Sequence, residues 1–118
     1  MPDVNDSILE TVKKLIGLPE EYTVFDLDII IHINSVFATL QQLAVGPVQG
    51  FAIEDKTTKW FDYIGDENAL NSVKSYMALK VKLAFDPPAT SFAIDSMTKM
   101  VSEYEWRLNI YAEGTKTA

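Results

Sequence analysis

The residue types that carry catalysis are few in this chain. His32 is its single histidine, and because a histidine titrates near neutral pH it could serve as a general acid or base. No nucleophile is recognisable by its spacing from it. A lone histidine on the flank of an amphipathic helix more often makes a boundary hydrogen bond. We therefore interpret His32 as structural and predict that the protein is not an enzyme.

Metal, cofactor and thiol chemistry have equally little support. The chain contains no cysteine, which removes disulfides, thiolate nucleophiles and cysteine-ligated metals. Asp26 and Asp28 are two residues apart and point in different directions on a helix. Asp62, Asp66 and Glu67 lack the ligand spacing of a calcium loop. The sequence holds no glycine-rich phosphate loop and no zinc signature, so we predict no metal and no cofactor.

The charge balance excludes further classes of partner. Ten Lys and Arg residues against seventeen Asp and Glu residues give a net charge of −7, which disfavours binding to phosphate backbones or anionic membranes. No apolar run approaches the ~20 residues that span a bilayer, and the acidic N-terminus does not look like an export signal. The 118 residues are 47% hydrophobic, so we expect one soluble, folded domain.

Four helices with clear start and stop signals must position these residues. Ser7 and Glu10 fit a capping box, and Gly17 is a typical stop. The four helices, with their start and stop residues, are predicted at residues 7–17, 23–44, 66–85 and 90–111. The fold class is therefore all-α, a small bundle of about four helices. A long loop, with a short hairpin or a helical turn, is expected between the second and third helices. Residues 1–111 form the domain and residues 112–118 a flexible tail.

Apolar side chains exceed what one buried stripe per helix requires, and the third helix is apolar on both sides. The surplus side chains are Leu27 and Ile31 in the second helix and Phe92, Trp106 and Ile110 in the fourth. In the fourth helix they alternate with Lys99 and Glu103. The aromatic loop could cover some of them. The other interpretation is a protein interface, in which tryptophan is a typical anchor. Protein–protein assembly is the function class that the residues alone favour.

Three of the ten basic residues form the one basic cluster of the sequence, in the third helix. They are Lys74, Lys80 and Lys82. They are candidate contacts for a phosphate or an acidic partner, although lysines on a solvated helix flank give the same pattern.

Several short segments, in a fixed order, extend over nearly the whole chain. They are 28–37 (DIIIHINSVF), 45–47 (VGP), 50–51 (GF), 58–60 (TKW), 85–88 (FDPP) and 105–109 (EWRLN). Together they resemble the head–tail connector proteins of siphophages that infect Gram-positive bacteria. Ala44 departs from the glycine that this resemblance leads us to expect at the entry to the loop.

The resemblance implies a structural protein of the virion neck, assembled in the cytoplasm of the host bacterium. Such proteins form a ring, usually dodecameric, beneath the portal protein. The ring extends the DNA channel without recognising sequence and provides the attachment surface for the next neck, stopper or tail protein. A net negative charge suits a channel through which DNA slides, and no contact with a membrane is implied.

Residue roles follow from combining this resemblance with the surplus apolar surface. The candidate portal contacts are Trp106, Ile110 and Tyr111. The candidate contacts with a neighbouring subunit or the next ring are Leu27, Ile31, Gly46, Pro47, Phe51, Ile53 and Trp60. The candidate contacts with the channel or an acidic partner are Lys74, Lys80 and Lys82. The alternative function is a free-standing helical adaptor or regulator of phage origin that forms no ring, and oligomer size distinguishes the two.

Overall fold

The protein is an all-α bundle in the computed structural model, which describes residues 6–117. Its helices are α1 (Ile8–Leu15), α2 (Asp26–Gln42), α3 (Trp60–Tyr63), α4 (Glu67–Phe85) and α5 (Ser91–Thr117). The predicted fold class is confirmed, and the predicted helical turn is α3. No hairpin forms between residues 6 and 117, where the β structure is a single bridge of Ser7 with Lys59. Residues 1–5 and Ala118 lie outside the described residues.

Local signals explain where most helices begin. Ser7 Oγ accepts a hydrogen bond from Glu10 N at 3.2 Å, and Asp66 caps α4 through the amide nitrogens of Asn68 and Ala69. α2 departs from the prediction, because Phe25 is its N-cap and makes no side-chain cap bond. A capping side chain is therefore not what fixes the start of α2.

The helices α1 and α2 end in the same hydrogen-bond pattern, a Schellman motif. In α1 the amide of Gly17 bonds to Lys14 O, and in α2 the amide of Ala44 bonds to Gln41 O. Both residues have a positive φ, 94° for Gly17 and 65° for Ala44. α2 therefore ends at Gln42, two residues before the predicted limit, and Ala44 adopts a left-handed conformation that favours glycine.

The helix α4 lies at the centre of the bundle and packs against α1, α2 and α5. This agrees with its apolar residues on both sides. One connected core includes Tyr76 and Met77 of α4, Phe37 of α2 and Leu108 of α5, all with almost no exposed surface. α2 and α5 both pack on α4, and residues of all three helices line one groove.

The connection between α2 and α3 folds back onto the core. The side-chain amide of Asn34 donates to Ile53 O at 3.0 Å and accepts from Ile53 N at 2.8 Å. Phe51 stacks edge to face on Phe37 and Tyr63, with ring centroids 5.1 and 5.2 Å apart. Because a Cβ at Gly46 would lie 2.5 Å from the Tyr63 ring, glycine is required there. The loop is thus an ordered part of the fold.

The helix α5 is longer than the sequence predicted. It continues to Thr117 instead of ending at Tyr111, and Ala112 is buried in the core. Residues 112–117 of the predicted tail are therefore helical in the structure. The physical reason is that Ala112 continues the core stripe of α5, one turn after Leu108.

Candidate protein interaction surfaces

The first candidate surface is the exposed apolar side of α2, which we call the α2 face: Val24, Leu27 and Ile31. Leu27 and Ile31 are one helical turn apart, and 71% and 58% of their surfaces are exposed. Val24, just before the helix, is as exposed as Leu27. The sequence predicted Leu27 and Ile31 on the polar side of this helix. Their exposure leaves an apolar patch that no described element covers.

A groove of about 430 Å³ adjoins the α2 face. Leu27 and Ile30 line it together with the charged side chains of Asp26, Glu54, Asp55 and Lys56. Thr57 donates to Asp55 Oδ1 from its hydroxyl at 2.5 Å and from its amide at 2.8 Å. These two hydrogen bonds lower the pKa of Asp55 because they favour its charged form. A protein that docks here would meet charged side chains of both signs beside apolar ones.

The second candidate surface is the side of α5 that faces away from α4, which we call the α5 face. Its apolar members are Phe92, Trp106 and Ile110, and the first two are 81% and 65% exposed. Lys99 and Glu103 lie between them and are also exposed. The predicted position of these side chains, opposite the core stripe, matches their exposure. Their role in binding stays a prediction.

Two tyrosine hydroxyls fix α5 against α4 and thereby set the orientation of the α5 face. Tyr76 donates to Glu105 Oε2 at 2.7 Å, and burial, followed by this bond and the carboxylate charge, raises the pKa of Tyr76. Near the other end, Tyr111 bonds to Asp66, the N-cap of α4. Burial first, and then Asp66, raise the pKa of Tyr111. Tyr111, a predicted portal contact, is half-buried.

Two of the loop residues assigned to an interface are core residues in the structure. Ile53 is held by Asn34, and Trp60 is completely buried. Neither presents surface to a partner, so we remove both from the candidate interface. The indole nitrogen of Trp60 is buried without a hydrogen-bond partner among the described residues. Gly46, Pro47 and Phe51 are half-buried and remain candidates.

The three lysines of the predicted basic cluster have different environments. Lys74 is buried, with Nζ 5.6 Å from the centre of the Trp60 ring, so it is not a surface contact. Lys82 forms an ion pair with Asp86 at 2.9 Å. Lys80 is half-exposed and lines a groove of about 370 Å³ together with His32. Helical spacing could have separated Lys74 from the other two, because it lies four residues after Leu70 and three before Met77 on the buried stripe of α4.

His32 lies at the junction of α2, α4 and α5, half-buried. Its ring meets the edge of Phe85, with the ring centroids 6.4 Å apart. The hydroxyl side chains of Ser35, Thr39 and Thr98 line the same groove as His32 and Lys80. Within the part of the chain that the structure describes, no three His, Asp or Glu side chains come together in a cluster that could hold a metal ion.

An ion pair between α1 and α2 was missed by the sequence analysis. Lys13 Nζ lies 2.8 Å from Asp26 Oδ1 and donates to Glu20 O at 2.9 Å. The Lys13 side chain is 2% exposed. A lysine placed on the apolar side of α1 could have suggested this burial, but its partner, thirteen residues along the chain, has no local signal.

None of the helices in the described residues is long and apolar enough to span a membrane. Neither the comparison with curated proteins nor the comparison with solved structures finds a match.

The family comparison gives one finding. A family model described as phage connector protein matches residues 8–115, from the first residue of α1 almost to the end of α5. The match covers both candidate surfaces, the loop and the whole core. The proteins of this family are structural components of phage particles. The chain belongs to the phage connector protein family.

Proposed function

We propose that this protein is the adaptor of the phage neck, a ring that docks beneath the portal and receives the next neck or tail protein. Membership of the connector family implies contacts with portal and tail proteins in general. The observation that carries the finer proposal is the pair of exposed apolar surfaces, the α2 face and the α5 face, on two different helices.

A closed ring requires two different surfaces on each subunit. In a head-to-tail arrangement, one surface of a subunit binds a non-identical surface of its neighbour. We assign the α2 face and the exposed part of the loop at Gly46, Pro47 and Phe51 to the neighbouring subunit or the next ring. This assignment is supported by the groove beside Leu27, where charged side chains of both signs adjoin the apolar residues.

The portal contact is assigned to the C-terminal half of the α5 face. Trp106 and Ile110 are exposed there, and Tyr111 lies beside them, bonded to Asp66. Tryptophan residues that become buried on binding commonly contribute much of the binding free energy. The net charge of −7 suits a ring whose channel lets DNA pass without adhering to it, and Lys80 is the lysine of the predicted cluster that remains available to an acidic partner.

The experiment compares two exposed aromatic residues. Purified portal is mixed with the wild-type protein, with Trp106→Ala or with Phe61→Ala, and the bound fraction is followed by size-exclusion chromatography. Phe61 is a matched control because it is 61% exposed, close to Trp106, but lies on α3. We expect Trp106→Ala to weaken binding to the portal at least about tenfold, as for an interface anchor, and Phe61→Ala to leave it unchanged.

Far-UV circular dichroism of each variant accompanies the measurement. Retained helicity with lost binding supports the assignment. Equal binding of the wild type and Trp106→Ala would overturn the role of the α5 face. A well-folded wild-type protein that binds no portal at any salt concentration would favour the free-standing adaptor.

A further inference from the structure

The exposed residues of the α5 face follow a regular spacing. The residues are Phe92, Ser96, Lys99, Glu103, Trp106 and Ile110, separated by four, three, four, three and four positions. All six are exposed. This is the spacing of the seam of a coiled coil, in which such positions face a second helix. At 1.5 Å per residue the seam is about 27 Å long.

The seam of one copy of α5 is complementary to the seam of a second copy that runs in the opposite direction. When two copies of α5 are placed antiparallel about a two-fold axis near Val101, Phe92 meets Ile110 of the second copy. Ser96 then meets Trp106, a small residue opposite a large one. Lys99 meets Glu103, so opposite charges occupy the centre. Each contact occurs twice, as an interface between identical surfaces requires.

The parallel arrangement is disfavoured by the same residues. In register, it would place Lys99 opposite Lys99 and Glu103 opposite Glu103 at the centre of the seam. Polar and charged residues at seam positions are known to select the orientation and register of paired helices at some cost in stability. Charge complementarity therefore selects one partner and one direction.

We propose that the free protein forms an antiparallel homodimer through the α5 face. The occupant of this face is a second copy of the chain. Trp106 and Ile110 are then buried in the dimer, so the dimer and the portal complex that we propose exclude one another. This consequence for assembly rests on the proposed function, whereas the dimer itself does not depend on any property of the portal.

The dimer is expected to be weak. A seam of one helix is smaller than the ~800 Å² per partner of a standard interface, and its central layers are charged instead of apolar. We expect a dissociation constant in the micromolar range or weaker. A weak dimer would shield Trp106 and Ile110 in the free protein and release them when the portal competes for the same surface.

The test uses charge reversal at the centre of the seam, in the full chain and without portal. In a homodimer of Lys99→Glu, the new glutamate faces Glu103 of the other copy at both central contacts. In a homodimer of Glu103→Lys, the new lysine faces Lys99 of the other copy at both contacts. We expect each variant alone to dimerise at least about tenfold more weakly than the wild type. An equimolar mixture places Glu opposite Lys at both contacts, so we expect the mixture to recover the affinity of the wild type. Sedimentation equilibrium measures all four samples.

The mixture separates the proposal from an effect on the helix alone. Within α5, Glu103 forms an ion pair with Arg107, which Glu103→Lys also removes, but mixing two chains cannot restore a pair within one chain. Lys14→Glu reverses an exposed lysine on α1 and is expected to dimerise like the wild type. Trp106 fluorescence gives a second readout, because burial shifts its emission to the blue whereas Trp60 is buried in both states.

Recovery in the mixture, together with normal dimerisation of Lys14→Glu, supports the antiparallel seam. A wild-type protein that stays monomeric up to millimolar concentration would overturn the proposal. So would single variants that dimerise as well as the wild type, or a mixture no stronger than its components. None of these outcomes depends on binding to the portal, so the dimer can fail while the proposed function stands.

Discussion

Ala44 and Gly17 occupy equivalent positions at the ends of two helices, yet only one of them is glycine. Both residues have a positive φ, and both donate their amide to a carbonyl of the last helical turn. In the left-handed conformation a Cβ atom crowds the backbone, at a cost of roughly 1–2 kcal/mol. Ala44 is exposed, so its methyl group gains little packing in return.

Ala44→Gly is therefore expected to stabilise the protein. Removal of the Cβ relieves the strained conformation, although glycine also gains entropy in the unfolded chain. The net effect expected is about 1 kcal/mol in the free energy of unfolding, measured by urea denaturation. Gly17→Ala is the matched control. No neighbour lies within 4 Å of the added Cβ, so the strain of the left-handed backbone alone should destabilise the protein by a similar amount. A decrease in stability for Ala44→Gly would contradict this account of the helix end.

Asn34 is the residue that holds the loop against α2. Its amide satisfies both backbone groups of the buried residue Ile53. Removing a partner from a buried polar group costs about 1–3 kcal/mol per group. Asn34→Ala is therefore expected to destabilise the protein by at least about 1 kcal/mol and to increase hydrogen exchange of the Ile53 amide.

Gln41→Ala provides the control for Asn34→Ala. Gln41 makes a comparable side-chain bond to Val48 O at 3.0 Å, but at the exposed end of the loop. Water can replace that bond, so the expected loss is much smaller. Equal effects of the two substitutions would mean that Asn34 does not hold the loop.

At the scale of the elements, α1 and α2 are joined by the buried pair of Lys13 and Asp26. Lys13 is nearly inaccessible, whereas the Asp26 side chain is 27% exposed. Leaving a buried charge without its partner costs about 3–5 kcal/mol when both groups are buried. Because Asp26 retains contact with water, we expect Asp26→Asn to lower the free energy of unfolding by about 2–3 kcal/mol, measured by denaturation.

The exposed pair of Lys82 and Asp86 is the control for this prediction. Asp86→Asn breaks a similar ion pair at the end of α4, where exposed pairs contribute about 0–1 kcal/mol. If both substitutions changed stability equally, the pair of Lys13 and Asp26 would not be the link between α1 and α2.

The limits of the helices could largely be predicted because the signals are local. Ser7, Asp66 and Gly17 act within a few residues, and the spacing of apolar side chains indicates which face is buried. Contacts between distant segments have no such signal. The bonds of Asn34 to Ile53 and of Tyr111 to Asp66 depend on the packing of whole helices, as does the burial of Trp60. For that reason Trp60 and Ile53 were predicted at the surface, whereas Leu27 and Trp106 were placed correctly outside the core.

At the scale of the whole molecule, three tyrosines connect α5 and the loop to the core. Burial raises the pKa of Tyr63, Tyr76 and Tyr111 above its usual range. A raised pKa means that the unfolded chain loses its protons first, at about pH 10. The stability contributed by the neutral hydroxyls is therefore full below about pH 10 and is lost as the pH rises above it.

The free energy of unfolding is expected to fall between about pH 9 and about pH 11, and urea denaturation at both pH values measures it. Tyr76→Phe should make the free energy of unfolding depend less on pH, because residue 76 then has no hydroxyl to titrate. The substitution also leaves Glu105 without its hydrogen bond from Tyr76. If the free energy of unfolding changed equally with pH in Tyr76→Phe and in the wild type, the role assigned to Tyr76 would be contradicted.

The whole molecule presents two exposed apolar surfaces on two different helices, and the proposed adaptor uses both of them in assembly. The most direct measurement is the mass of the complex formed by purified protein and purified portal, determined by light scattering after size-exclusion chromatography. For the proposed adaptor we expect a complex whose mass exceeds that of the portal by a complete ring of this chain, a dodecamer if the family resemblance extends to ring order. An intact portal that elutes with its own mass, beside a folded and unbound protein, would contradict it.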